Sequence, residues 1–229
     1  MLELNGLSKS YGSKPALSNV TFNVKPGKIV GLLGPNGSGK TTMIKILTGL
    51  ITDYTGTVTI EGLAPGPKTC AYVSYLPDRT ALPNWLTVRD AIKMYGDFYS
   101  DFEVERAKTM CESMGIEAKK KIKTLSKGMN EKLQLSLVMS RRAKLYVLDE
   151  PIAAVDPAAR EFILKTIISN FGGESSILLS THLINDVESI LDYVLFLREG
   201  EIVLSDEAEN IREREGKSID QLFREVFKC

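Results

Sequence analysis

The chain has 229 residues, 43% of them hydrophobic, which is enough for one domain with a real core and room for a subdomain. Its 29 Lys and Arg balance 29 Asp and Glu, so no general field draws nucleic acid or anionic lipid, and a phosphate site must be local and shaped. Met1-Leu2-Glu3-Leu4-Asn5 lacks the basic-then-apolar layout of a secretion signal, and no apolar run approaches the ~20 residues that span a bilayer. A soluble chain is therefore expected, with any membrane role peripheral and no nucleic-acid partner. Cys70, Cys111 and Cys229 are widely spaced and form no metal pattern, so they read as free thiols of a reducing compartment.

Short strand-like runs come first: Leu2 to Leu4, Val20 to Val24 and Thr57 to Glu61, each near Gly or Pro. Lys28 to Leu33 is an apolar strand that runs into a glycine-rich turn, and Thr41 to Leu50 has helical spacing. Ala71 to Leu76 reads as another strand. From about Thr87 to Ala143 helical periodicity dominates. Strands return at Leu145 to Leu148, Ser176 to Ser180 and Tyr193 to Leu197, separated by helices over Ala158 to Phe171 and Leu183 to Ile190. Arg198-Glu199-Gly200-Glu201 reads as a hairpin turn. Ala208 to Lys228 reads as a helical tail. Alternating strands and helices predict an α/β fold, a parallel sheet with helices on its faces. The helical stretch reads as an insertion at about 79–143, within one unit over 1–229 whose tail begins at about 208.

Gly34-Pro35-Asn36-Gly37-Ser38-Gly39-Lys40-Thr41-Thr42 fits G-x-x-x-x-G-K-T, between a buried strand and a helix. Glycines let backbone N–H groups converge on phosphate oxygens, and the helix adds its positive dipole end. Lys40 supplies positive charge to the β- and γ-phosphates of ATP, and Thr41 a hydroxyl for Mg²⁺. The competing reading, a turn with no ligand, does not explain strand, loop and helix in register. Asp149 and Glu150 end the apolar run Leu145 to Leu148. Asp149 suits Mg²⁺, directly or through water. Glu150, next along an extended chain, faces elsewhere and suits the base that polarises the attacking water. Alone, two acids at a strand end are as readily solvated turn residues; the P-loop changes that balance.

With these residues the sequence resembles the ABC ATPase family, over essentially the whole chain. Leu125-Ser126-Lys127-Gly128-Met129 looks like the family signature, followed by a helix from Asn130. His182 in Ser180-Thr181-His182 matches the switch histidine. Asp156, in Ala154-Val155-Asp156-Pro157, matches the loop after the catalytic Glu. Tyr11, in Lys9-Ser10-Tyr11-Gly12, matches the aromatic that stacks on adenine, a contact worth ~1–3 kcal/mol. The resemblance implies a P-loop NTPase-type sheet with an antiparallel β portion near the N-terminus and an inserted helical subdomain. It implies catalytic roles for Glu150, His182 and Lys40. It implies that Ser126, Lys127, Gly128 and Met129 face the ATP of a second ATP-binding subunit in a head-to-tail homo- or heterodimer. Without the other motifs, Ser126 and Gly128 would read as an ordinary helix cap, and a lone histidine or strand-end tyrosine as structural.

Two departures stand out. Lys127 and Met129 replace Gly and Gln of the signature, while Ser126 and Gly128 remain. Asp78, in Tyr75-Leu76-Pro77-Asp78, stands where the family usually has a Gln that touches Mg²⁺ and the attacking water. The chain looks like the short ATP-binding subunits of bacterial ABC-2 type exporters, which pair with a separate transmembrane permease at the cytoplasmic face of the membrane and move peptides, drugs or lipids. A soluble ABC ATPase, such as an iron–sulfur assembly ATPase, is the competing class. Intact Lys40, Asp149, Glu150 and His182 argue against a degenerate cassette. Tyr95, Phe98, Tyr99 and Phe102 recur at helical i, i+3, i+4, i+7 spacing. They read as a core stripe, or else as an aromatic groove for a helix of the permease.

Overall fold

The structure is a computed structural model that describes residues 1–79, 82–153 and 155–227, with backbone only at 158, 159 and 170. Thr80, Ala81, Ala154, Lys228 and Cys229 lie outside the described residues, so the third expected thiol and the first residue of the loop before Asp156 are not among them. Cys70 is an exposed free thiol and Cys111 a buried one, whose pKa burial pushes up to about 11.

Two sheets share the core. β1 (Leu2–Tyr11), β2 (Lys14–Val24) and β4 (Thr55–Ile60) form an antiparallel sheet in the order β2-β1-β4. A second sheet contains β3 (Ile29–Leu33), β5 (Val73–Leu76), β6 (Leu145–Asp149), β7 (Ser176–Thr181), β8 (Tyr193–Arg198) and β9 (Glu201–Glu207). Its order is β5-β6-β7-β3-β8-β9, parallel except for the β8–β9 hairpin. All residues of β3, β6 and β7 are buried because both faces of this sheet are covered, which is why they read as continuous apolar runs. Along β3, Ile29 and Leu33 enter one core, and Val30 and Leu32 the other. The second of these cores holds α1 (Lys40–Leu47) and the antiparallel sheet. The first holds much of α4 (Lys127–Met139), α5 (Pro157–Asn170) and the C-terminal helices α7 (Ala208–Glu215) and α8 (Ile219–Phe227).

Between β5 and β6 the described residues form helices α2 (Val88–Phe98), α3 (Val104–Ser113) and α4, with no strand among them. Thr87 and Asp90 build a capping box that starts α2. Leu133 and Leu137 of α4 enter the core of this helical lobe, while Leu135, Val138 and Met139 enter that of the sheet. One helix thus joins the lobe to the sheet.

Several elements differ from their sequence reading. β1 continues to Tyr11 because Gly6, at φ 63, absorbs a register shift that breaks the alternation. Ala71 lies in a 3-10 turn ahead of β5. β9 has no strand in that reading: its only apolar run, Ile202 to Leu204, is three residues long, and its outward positions are Glu201, Val203, Ser205 and Glu207. The tail is two helices, split at Gly216 (φ 61). The segment 183–190 is only α6 (Ile184–Val187) and a 3-10 turn.

The aromatic stripe is not one helical face. α2 ends at Phe98, and Tyr99 is extended (φ −120, ψ 111), so the i+4 and i+7 positions fall beyond the helix. Phe102 is buried, Phe98 is 76% exposed, and Tyr95 and Tyr99 are half-buried. Tyr95 sits 5.5 Å from Tyr99 and 5.6 Å from Phe102, centroid to centroid. The buried Arg141 guanidinium lies 3.9 Å from the Tyr99 centroid and bonds Asp101 and the Cys70 and Val73 carbonyls, tying the lobe to β5.

Candidate active site

The carboxyl ends of β3, β5, β6 and β7 lie along one edge of the sheet, where parallel sheets present their sites. The glycine-rich loop follows β3, Asp78 follows β5, Asp149 ends β6, and His182 follows β7. They meet in a cleft of about 460 Å³ lined by Asn36, Gly37, Gly39, Lys40, Thr41, Thr42, Asp78, Asp149, Glu150 and His182. Tyr11, Lys14, Pro15, Ala16 and Ala153 complete the lining.

The loop needs its glycines. A Cβ on Gly34 would stand 2.3 Å from the Leu197 carbonyl oxygen, and Gly39 has φ 110 with the Ala16 carbonyl oxygen 2.5 Å from its would-be Cβ. Lys40 is buried, and its ammonium donates to the Gly34 and Pro35 carbonyls at 2.7 and 3.1 Å. Burial lowers the Lys40 pKa, and the carboxylates of Glu150 and Asp149 oppose that shift. Gly34, Pro35 and Ser38 do not line the cleft. The first two hold Lys40 over it, and the buried Ser38 Oγ has no hydrogen-bond partner among the described residues.

Asp149 is 2% exposed and accepts a 2.6 Å hydrogen bond from Ser180 Oγ. Burial raises its pKa, helped by the negative charges of Asp78 and Glu150; the Ser180 hydrogen bond and Lys40 lower it. Ser180 belongs to the site although nothing singled it out in sequence. Its signal was its place two residues before His182, at the end of a strand that pairs with β6.

Glu150 is not extended as the sequence suggested. Its φ is 51, in the left-handed region, so the chain turns sharply after Asp149. Its N–H still bonds the Ser180 carbonyl at 3.1 Å. The turn brings Oε2 to 2.9 Å from His182 Nδ1, across 32 positions of sequence. With its proton on Nδ1, the imidazole donates to the carboxylate and fixes its direction.

Ser126 caps α4, its Oγ accepting from the Met129 N–H at 3.2 Å, and the helix starts at Lys127 rather than Asn130. Gly128 lies in the first turn. Ser126, Gly128, Met129 and Asp156 do not line the cleft that holds Lys40. Lys127 reaches a neighbouring cavity of about 330 Å³ that shares Asp78, Asp149 and Glu150 with it. Asp156 precedes α5, whose Arg160 N–H bonds the Asp156 carbonyl at 3.0 Å.

Thr41, Asp78 and Asp149 offer hard oxygen donors at one place, which suits Mg²⁺. Among the described residues no group of three or more His, Cys, Asp or Glu could hold a metal alone. Mg²⁺ is commonly held by one or two carboxylates together with a substrate's phosphates.

The fold and the cleft define a P-loop nucleoside triphosphatase. The family model described as ABC transporter matches residues 17–153. The chain is 34% identical to an uncharacterized ABC transporter ATP-binding protein, YdbJ, of Bacillus subtilis, over 88% of this chain and 68% of that one. It is 32% identical to the lantibiotic transport ATP-binding protein SrtF of Streptococcus pyogenes, over 93% of this chain and 95% of that one. A solved ATP-binding subunit of an ABC transporter superposes with a TM-score of 0.90 at 28% identity, covering 99% of both chains. The dimeric bacterial cassette MJ0796 shares the fold, with a TM-score of 0.80 at 22% identity over 90% of this chain and 98% of that one. This chain belongs to the ABC transporter family, as an ATP-binding, ATP-hydrolysing subunit.

Asp78 lines both cavities at the end of β5. If it serves in place of the family's glutamine, Asp78→Gln keeps turnover within about threefold, and Asp78→Ala lowers Mg²⁺-dependent turnover about 10- to 100-fold. Steady-state phosphate release at varied Mg²⁺ checks this, and full activity and transport in Asp78→Ala would make the residue a bystander.

Proposed function

We propose that the chain energises export through a separate transmembrane permease, as one half of a head-to-tail pair of ATP-binding subunits at the cytoplasmic face of the membrane. The observation that carries the catalytic part is the 2.9 Å pair of Glu150 and His182 at the mouth of the cleft that holds Lys40. Glu150 takes a proton from water as the water oxygen attacks the γ-phosphorus. The bond to the β–γ bridging oxygen breaks, giving ADP and phosphate. His182 holds the base, Lys40 neutralises phosphate charge, and the backbone N–H groups of the loop orient the triphosphate. Thr41, Asp149 and Asp78 would hold Mg²⁺, which supplies further charge neutralisation when bound. Tyr11 stacks on the adenine. Ser126 and Gly128, at the capped start of α4 and outside the lining of this chain's own cleft, contact the γ-phosphate of the second subunit, with Asp156 near the same interface.

Relatives named for lantibiotic transport, Nod factor export and linearmycin resistance support export of peptides, drugs or lipids. Among the described residues no helix is long and apolar enough to cross a membrane, which agrees with a permease on another chain. The permease's helix docks in the cleft of about 450 Å³ between sheet and helical lobe, where Leu50, Tyr75, Tyr95 and Tyr99 face one another. One cassette spans 1–229, with the helical segment at about 79–143 supplying Tyr95, Tyr99 and Arg141 to one wall of that cleft. Purification from the native membrane tests the reading. The expected result is a co-purifying multispanning protein whose presence alters ATP turnover. Recovery with iron–sulfur assembly proteins instead would overturn it.

A further inference from the structure

We propose that Lys9 is a positioning residue for nucleotide binding: it holds the Tyr11 ring in place for the base, and Asp53 holds Lys9. The inference rests on the reading of Tyr11 as the adenine platform. Leu2 and Leu4 of β1 face the core, the register shifts near Gly6, and Leu7 and Lys9 then face inward. Lys9 thus takes a core-facing position and is 7% exposed. Lysine is seldom so buried without a partner. Its ammonium lies 2.5 Å from Asp53 Oδ2, in the connection between α1 and β4, and 5.1 Å from the centroid of Tyr11. The hydrogen bond from Lys9 is the main cause holding the Asp53 carboxyl below its ordinary range.

Lys9 and Tyr11 are two positions apart on one strand, and although the pairing with β2 shifts between Lys9 and Ser10, the Lys9 ammonium still reaches the Tyr11 ring. Tyr11 lines the cleft and Lys9 does not. Tyr11 is 53% exposed, so little packing fixes the plane of its ring. An ammonium attracted to the π-system supplies that restraint from one side and leaves the other for a base. A ring already ordered loses less freedom when the base stacks on it, and affinity rises for that reason.

The test separates base from phosphates. ADP carries both, and pyrophosphate carries phosphates alone; each is assayed as an inhibitor of the ATPase. Lys9→Met keeps the stem without the charge, and Lys9→Arg keeps the cation. In Lys9→Met the ADP inhibition constant rises about three- to tenfold while that of pyrophosphate stays within about twofold, and Lys9→Arg behaves as wild type. If Lys9→Met does not fold, Asp53→Asn, altered on the exposed partner, gives the same split at smaller size. Equal weakening of ADP and pyrophosphate overturns the proposal, because it marks a general structural role. So does unchanged ADP inhibition in Lys9→Met when Tyr11→Ala weakens ADP, an outcome that leaves the stacking reading intact. If Tyr11→Ala leaves ADP unchanged, the stacking reading itself falls and the proposal falls with it.

Discussion

In Glu150→Gln, ATP turnover falls by about two to four decades, the usual contribution of a positioned base, and bound ATP accumulates. The amide keeps the side chain's length and an oxygen that accepts from His182 Nδ1, which stands 2.9 Å from the native carboxylate. It removes one negative charge from a cleft where Asp78 and Asp149 remain, so affinity for an anionic nucleotide does not drop. Ser126 and Gly128 do not line the cleft of their own chain, and in the proposed pair they close on the partner's nucleotide. The stalled variant is then trapped as an ATP-bound dimer, while wild type pairs only transiently because hydrolysis removes the γ-phosphate. Size-exclusion chromatography with Mg-ATP reads both species. Normal hydrolysis by Glu150→Gln would remove the catalytic assignment. A variant that binds ATP yet stays monomeric at high concentration would leave the base in place and count against the sandwich.

Lys40→Ala loses most of the chain's ATP affinity, its turnover, or both. The Lys40 ammonium is buried over the loop, and removing a charge-assisted contact of that kind costs ~1.5–3 kcal/mol, about 10- to 150-fold in binding. The loop itself is kept, because its shape depends on the glycines and on the carbonyls packed against them. Calorimetric titration with ATP, beside circular dichroism to show the fold retained, checks this. Hydrolysis at the wild-type rate would mean that the loop is not the phosphate site.

Asp149 adds a consequence in pH. Burial is the largest cause of its raised pKa, so its carboxylate form is less favoured there than in water. A bound cation reverses that preference, and ligand binding therefore releases protons as pH falls toward the carboxyl range. ATP affinity measured with Mg²⁺ weakens on acidification more steeply than affinity measured without it. Parallel pH profiles would show that Asp149 does not meet the ion.

Sequence and tertiary structure divide the account of this protein cleanly. The phosphate loop was legible because everything that shapes it is contiguous. An apolar strand, glycines and a helix start lie within residues 29–47, and short-range backbone sterics decide such a turn. The strands of the central sheet were legible for a related reason, since burial on both faces leaves a continuous apolar run. The helical stretch between β5 and β6 showed its own period. Other features depend on which segments become neighbours. The aromatic stripe has helical spacing, yet α2 stops at Phe98 and scatters it between core, cleft and solvent. β9 has only the three-residue apolar run Ile202 to Leu204, half-buried at best, and exists because β8 offers it an edge. Glu150 turns left-handed against Ser180, and its partnership with His182 exists only because β6 pairs with β7. Lys9 meets Asp53 across 44 positions of sequence. Strand order and long-range pairing are settled by burying both faces of the sheet at once, so the motifs were readable one by one while their meeting was decided by the tertiary fold.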